Sequence, residues 1–269
     1  MPELPEVQTV VNTLRPAVLG CRFRRVALAR PDIVEPAGTD LAARLAGRRV
    51  RDLCRRGKRI IFRLDSPVCL VVHLGMTGRL IVAAAEEVVP PHTHLLADLA
   101  GLRGPRQLRF IDPRRFGFLL LTDDPSAGLG PEPLDLTHEQ LRGLLEGTRR
   151  AVKTALLDQS LLAGLGNIYA DESLHLARIH PCQIARNLTA GECLRLVRAI
   201  RRTLRAAIEN KGTTLRDYVD ADGRSGENGP HLRVYGREGQ PCPACRTPIR
   251  RIVLNGRSAH FCPRCQPSA

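Results

Sequence analysis

A chain of 269 residues, 43% of them hydrophobic, has enough apolar material for two domains with cores of their own, which excludes a disordered tail. Forty-one Lys and Arg against 27 Asp and Glu give a net charge of +14, so much of the folded surface is positive and suits a polyanionic partner. Nucleic acid fits better than a membrane: no run of about 18 apolar residues is present, and the start MPELPEVQTV is acidic where a signal peptide is basic and then apolar.

Residues 3–19 place Val7, Val10, Val11, Leu14 and Val18 at helical spacing behind first-turn carboxylates, which predicts a helix. A small residue after Met1 permits removal of the initiator methionine, and Pro2 would then carry a secondary amine. An α-amino group titrates near 8, about two units below lysine, so an appreciable fraction is neutral and nucleophilic. Such an amine forms Schiff bases with sugar aldehydes, and Glu3 and Glu6 stand beside it as acids. The same residues also suit a plain helix start.

From 22 to 121 the pattern changes to short apolar runs: Ile60–Leu64, Val68–Leu74, Leu80–Ala83, His94–Leu99, Leu108–Ile111 and Phe116–Leu121. Turn clusters at 65–67 and 101–104 separate them, and the pattern predicts an antiparallel sandwich or barrel. Arg55-Arg56-Gly57-Lys58-Arg59 precedes one strand, HLGMTG at 73–78 presents Met76 on a turn, and DPRRFG at 112–117 presents Arg114 and Phe116. A Met, an Arg and a Phe lifted on loops of a basic protein can fill the gap left by an extruded base, although each alone is ordinary packing or surface. No third metal ligand lies near His92-x-His94, so His92 reads as a phosphate contact and His94 as a strand position.

Pro, Gly and Asp gather at 124–137, a linker, and a helical period follows. Lys153–Leu162 looks helical. Gly164–Tyr169 lacks the third glycine and the preceding strand of a dinucleotide fingerprint. It reads as a turn between helices: either a plain turn, or one whose bare amides and Asn167 hold a phosphate at the second helix's N-terminus. In 191–210, Cys193, Val197, Ile200, Leu204 and Ile208 form one stripe, and the arginines at 195, 198, 201, 202 and 205 read as a solvated face. Residues 211–239 are rich in Gly and charge and have the composition of a mobile loop.

The tail from 240 is a separate module. Cys242-Pro-Ala-Cys245, sixteen further residues and Cys262-Pro-Arg-Cys265 supply four thiolates for one tetrahedral, structural zinc. Asn255-Gly256 between the pairs predicts a hairpin with Arg257 close to its tip. The other five cysteines are scattered and read as small, buried or half-buried thiols of a reducing compartment. With aromatics at 3% and no Trp, binding cannot rest on a broad stacking platform.

In order across nearly the whole chain, PELPEV at 2–7, RRGKR at 55–59, HLGMTGRL at 73–80, DPRRFG at 112–117, LGPEPL at 129–134, GLGNIYADESL at 164–174, GTTLRDY at 212–218, VYGREGQPCPAC at 234–245 and GRSAHFCPRCQ at 256–266 resemble the formamidopyrimidine-DNA glycosylases, bacterial base-excision repair enzymes. The resemblance implies an α+β multidomain protein. An N-terminal antiparallel β-sandwich with an N-terminal helix spans 2–123 and a linker 124–136. A helix–two-turn–helix DNA-binding domain with a lesion-capping loop spans 137–239, and a zinc-stapled β-hairpin finger 240–269. It also implies excision of 8-oxoguanine and formamidopyrimidines from duplex DNA, followed by lyase cleavage, by a monomer working in the bacterial cytoplasm on nucleoid DNA.

Residue by residue, the resemblance makes Pro2 the nucleophile at C1′ and Glu3 the acid that assists base loss. Lys58 becomes the proton donor of β-elimination and a phosphate contact, and Arg257 the residue of δ-elimination and phosphate binding. Met76, Arg114 and Phe116 fill the vacated space and address the opposing cytosine, while His92, Asn167 and Arg149 hold the backbone. Two departures stand out. Glu227, Asn228 and Gly229 occupy the capping loop where the family shows an aromatic residue and a glutamine, and Arg149 replaces a lysine, which keeps charge but changes contact geometry. The alternatives are an endonuclease VIII-like enzyme for oxidised pyrimidines, opposed by PELPE in place of PEGPE and by the intact DPRRFG, and a non-catalytic zinc-finger DNA-binding protein.

Overall fold

The computed structural model describes residues 2–101, 104–215 and 218–268, so Met1, the middle of the 101–104 turn and two residues of the 212–218 motif lie outside the described residues. The chain divides into two compact units, Met1–Ala127 with Asn210–Glu227, and Gly128–Glu209 with Asn228–Ala269.

In the first unit, helix α1 (Leu4–Val18) starts at a capping box formed by Glu3 and Glu6 and buries Val7, Val10, Val11, Leu14 and Val18, the stripe its sequence predicts. Strands β1 (Arg22–Leu28) and β2 (Val34–Glu35), the short helix α2 (Leu41–Leu45), and strands β3 (Val50–Arg56), β4 (Arg59–Leu64), β5 (Cys69–His73), β6 (Arg79–Ala84), β7 (Thr93–Ala100), β8 (Arg106–Ile111) and β9 (Phe118–Thr122) follow. They form two sheets, ordered β1-β7-β8-β6 and β2-β9-β5-β4-β3. Pairing is antiparallel as expected, except that β2 lies parallel to β9. Phe23, Phe62, Leu70, Leu95, Leu108, Phe110 and Leu119 from both sheets meet α1 in one core, as in a sandwich whose helix covers part of its interior. Described residues of 210–227 are held to α1: Thr213 N–H donates to Glu6 Oε1 at 2.7 Å, Tyr218 Oη to Glu6 O at 3.3 Å, and Ala221 N–H to Thr13 Oγ1 at 3.3 Å.

The second unit holds helices α3 (His138–Glu146), α4 (Val152–Leu156), α5 (Asn167–Ala177) and α6 (Ala190–Glu209), then the hairpin β10 (Arg250–Leu254) and β11 (Arg257–Phe261). On α6, Cys193, Val197, Ile200 and Leu204 are buried as the stripe requires, while Ile208 is only half-buried. The helix expected over Lys153–Leu162 stops at Leu156. Asp158 Oδ1 accepts from the Ser160 N–H and hydroxyl, and the Gln159 amide donates to Leu157 O and Leu165 O, so local side-chain bonds replace the helical ladder. Asn255 and Gly256 both take positive φ, +47° and +74°, in the tight turn joining β10 to β11.

Candidate functional site

The N-terminal site is assembled by α1. Pro2 and Glu3 precede it and are buried, Glu3 to 2% exposure. The Glu3 N–H donates to Glu6 Oε2 at 2.8 Å, so Glu6 holds the N-terminus with one oxygen and the 210–227 segment, through Thr213, with the other. Gly212 is required there: its φ is +82°, and a Cβ would stand 2.9 Å from Glu6 Oε1. Lys58 sits with Gly57 in the two-residue turn between β3 and β4, whose flanking pair is Arg56 and Arg59. Gly57 supplies a φ of +56° and Lys58 is 7% exposed. Arg55 Nε donates to Gln8 Oε1 at 2.9 Å, which moors the base of this turn to the first turns of α1.

Met76, Arg114 and Phe116 are brought together by two loops that touch backbone to backbone. A Cβ on Gly75 would meet Phe116 C at 2.4 Å, and one on Gly117 would meet His73 O at 2.6 Å, so only glycine allows the approach. Asp112, fully buried, fastens the pair. Its Oδ1 accepts from Thr77 Oγ1 at 2.6 Å, its Oδ2 from Gly117 N–H at 2.8 Å, and its carbonyl lies 2.8 Å from His94 Nε2. Met76 and Phe116 are left 41% and 52% exposed, with the Arg114 guanidinium carbon 4.9 Å from the Phe116 ring centroid. His92 is exposed at a φ of +64°, beside β7, and its carbonyl accepts from Asp112 N–H at 3.0 Å. Sequence reasoning misses Thr77 and Asp112, since neither announces that one loop's hydroxyl will cap the other's carboxylate.

His73 is a further residue that sequence reasoning passes over. Its Nδ1 accepts from Gly75 N–H at 3.1 Å and its ring stacks on Phe118 with centroids 4.9 Å apart. Burial, then the cations Lys58 and Arg59, pull its pKa from 6.5 to about 4. The folded protein thus holds it neutral, and its contribution to stability is complete above pH 6.5 and lost as pH falls from 6.5 towards 4. The loss is on the order of 3 kcal/mol. Urea midpoints between pH 7 and pH 4.5 should fall more steeply in the wild type than in His73→Asn; equal slopes would show that His73 is not the group responsible.

In the second unit, Asn167 is the first residue of α5, and its Nδ2 donates to Ser258 Oγ at 3.2 Å, beside the exposed Arg257. Its Oδ1 is buried with no hydrogen-bond partner among the described residues. Ser258 is itself fixed: Lys153, 1% exposed, donates to its carbonyl and lies 2.6 Å from Asp171 Oδ1, while Asp171 Oδ2 accepts from His260 N–H at 2.8 Å. This buried network joins α4 and α5 to β11, and it brings Asn167 and Arg257 into one neighbourhood. Arg149 is exposed beyond the end of α3, and no hydrogen bond or ion pair among the described residues ties it to them.

The four cysteines converge as their spacing predicts, with all four Sγ atoms within 4.8 Å of one another. Cys245 and Cys262 Sγ are 3.4 Å apart, Cys242 and Cys265 Sγ 3.9 Å. A zinc with Zn–S bonds of about 2.3 Å needs sulfurs roughly 3.8 Å apart, so the thiolates suit one tetrahedral ion. All four positions would be filled by sulfur, which leaves none for water or substrate. Gln266 moors the module, accepting Cys262 N–H at 2.9 Å and donating to Ile179 O at 2.8 Å.

Three family models match the chain in order: the formamidopyrimidine-DNA glycosylase N-terminal domain over residues 1–119, its H2TH domain over 129–219, and a zinc finger found in FPG and IleRS over 239–267. A formamidopyrimidine-DNA glycosylase of Herpetosiphon aurantiacus is 46% identical over 275 residues, covering 99% of this chain and 100% of that one. The crystal structure of the Thermus thermophilus Fpg protein is 43% identical with a TM-score of 0.88, covering 100% of both chains. A Lactococcus lactis Fpg variant in complex with a Fapy-dG-containing DNA is 33% identical with a TM-score of 0.91, covering 99% of this chain and 100% of that one.

Proposed function

The chain belongs to the formamidopyrimidine-DNA glycosylase family, and from that membership we propose a base-excision repair enzyme that removes oxidised purines from duplex DNA and then cuts the abasic strand by β,δ-elimination. The observation that carries this reading is the buried Glu3 carboxyl placed directly after Pro2 at the start of α1, in a chain matched along its whole length.

The neutral Pro2 amine attacks C1′ of the extruded nucleoside and the bond to the base breaks, with Glu3 delivering the proton that assists departure and ring opening. The product is a protonated Schiff base, which acidifies the C2′ proton and lets the 3′ phosphate leave. Lys58 serves that step from its turn, and Arg257 serves the second elimination. Extrusion costs a few kcal/mol, which Met76, Arg114 and Phe116 offset by filling the gap while His92, Asn167 and Arg149 hold phosphates. The structural zinc, held by Cys242, Cys245, Cys262 and Cys265, fixes the hairpin that carries Arg257. The functional domains are 2–123, 137–239 and 240–269, joined by 124–136. The enzyme acts as a monomer in the bacterial cytoplasm, on nucleoid DNA; among the described residues no helix is long and apolar enough to cross a membrane.

The lesion class is tested by excision from matched duplexes carrying 8-oxoguanine, a formamidopyrimidine or an oxidised pyrimidine. Purine lesions should be released faster. Preference for the pyrimidine would overturn the purine assignment and favour the endonuclease VIII-like reading.

A further inference from the structure

Helix α6 carries a cationic face that the proposed chemistry leaves unused. Its buried side, Cys193, Leu196, Val197, Ile200, Leu204 and Ala207, packs on α3 and α5. With 3.6 residues per turn, Arg195, Arg198, Arg202 and Arg205 emerge on the opposite side at i, i+3, i+7 and i+10, spread over about 15 Å of helix, and Arg201 flanks them. What sets this face apart is the concentration of four exposed arginines on one side of a single helix; elsewhere individual arginines meet carboxylates, as Arg15 and Asp52 do at 2.7 Å, Arg142 and Glu146 at 3.1 Å, and Arg150 and Asp158 at 2.9 Å.

Among the described residues none of the five α6 arginines forms an ion pair, and Arg198, Arg202 and Arg205 are exposed with no hydrogen bond. Arg195 Nε donates to Ala177 O at 3.3 Å and Arg201 to Leu136 O at 2.7 Å, while Arg201 Nε is buried without an acceptor. Of the helix's two acids, Glu192 is committed to the N-terminal cap, where it accepts from Thr189 N–H, the Thr189 hydroxyl and Gln183. Glu209 stands at the far end of an open groove of about 530 Å³, lined by Arg198, Arg201, Arg202, Arg205 and Ala206.

We infer that this groove is a second DNA surface, which takes the phosphate backbone of a duplex segment other than the one undergoing repair. The inference rests on the proposed function only in that DNA is the partner. Planar guanidinium groups pair with phosphate through two N–H donors. No apolar side chain larger than Ala206 lines the groove, so it lacks the buried anchor a protein partner needs. The apolar side of α6 is already covered by α3 and α5, so the helix has none to insert into a bilayer. An enzyme that grips a second segment before releasing the first passes directly between duplexes, and its departure from one quickens as the other becomes abundant.

The test follows dissociation of a labelled, undamaged duplex from the full-length protein during a chase with rising concentrations of unlabelled duplex. The wild-type rate should rise with chase concentration, and the rate of the combined variant Arg198→Gln, Arg202→Gln, Arg205→Gln should not. The log–log salt slope of second-duplex binding should become shallower by about 2.7, roughly 0.9 for each phosphate no longer neutralised. Arginine-to-lysine replacement at the same three positions should keep most of the chase dependence, because charge is retained. Borohydride trapping on a lesion-containing duplex should match the wild type in both variants, which also reports that they fold. Undamaged duplex makes the chase independent of the chemistry, so failure of the glycosylase reading shows in trapping alone. A wild-type rate indifferent to the chase, a Gln variant that behaves as wild type, loss of trapping in that variant, or binding of the face to phosphatidylserine vesicles but not to a second duplex would each overturn the inference.

Discussion

Glu3→Gln should lose base excision by about 10²- to 10⁴-fold, the range a positioned proton donor contributes, while binding to an undamaged duplex stays within a few-fold. The replacement keeps the shape of a side chain that is 2% exposed and leaves the Glu3 N–H bound to Glu6. It removes the ability to deliver a proton while keeping a side-chain oxygen that can accept the Glu6 N–H of the capping box. A preformed abasic duplex has already lost its base, so the variant should remain more active on it than on 8-oxoguanine. Single-turnover rates on the two duplexes, with binding measured in parallel, make the comparison. Equal loss of excision and binding would instead assign Glu3 a folding role at the start of α1.

Cys245→Ala should release the zinc and cut binding of lesion duplex at least ~10-fold. Structural zinc binding is folding free energy, and with one thiolate gone the remaining three no longer close the tetrahedron. Val234, Cys242, Ile249 and Cys262 form a small buried cluster at the thiolates, with Cys245 and Cys265 packed beside it, so the metal adds to the order of this part of the module. The consequence reaches further than the finger, because Ser258 and His260 are the hairpin's contributions to the network around Lys153, Asp171 and Asn167. Metal content by mass spectrometry and binding by fluorescence anisotropy check the expectation. Full zinc occupancy with unchanged affinity would overturn the ligand assignment.

Periodicity finds α1 because its apolar spacing and first-turn acids agree with its burial, and paired CxxC spacing finds the metal centre because tetrahedral thiolate geometry leaves few alternatives. Strands β1 and β3 escape a periodicity reading for a physical reason: RFRRVAL and VRDLCRR carry arginines at exposed and half-buried positions alike, and β1 breaks its alternation with an irregularity between Phe23 and Val26. The parallel β2–β9 pair spans only two residues and leaves no periodic trace. Met76, Arg114 and Phe116 are legible as loop residues, yet their convergence depends on Gly75, Gly117, Thr77 and Asp112, whose contacts join positions far apart in sequence. Composition marks 211–239 as loop, but does not show that Glu6 anchors Thr213 or that Glu172 accepts three N–H groups, from Arg233, Val234 and Tyr235, each at 2.9 Å. Such long-range bonds are set by tertiary packing, not by local pattern.

The proposed mechanism stands on a secondary amine at Pro2, and reductive trapping with peptide mapping tests it most directly. The wild-type protein is incubated with a duplex carrying 8-oxoguanine opposite cytosine in the presence of borohydride, and the cross-linked peptide is located by mass spectrometry. The chain contains only three lysines, Lys58, Lys153 and Lys211, so few other amines compete and the location is decisive. A single adduct on an N-terminal Pro2 is predicted. An adduct on any of those lysines, or none on protein whose terminus is free, would contradict it.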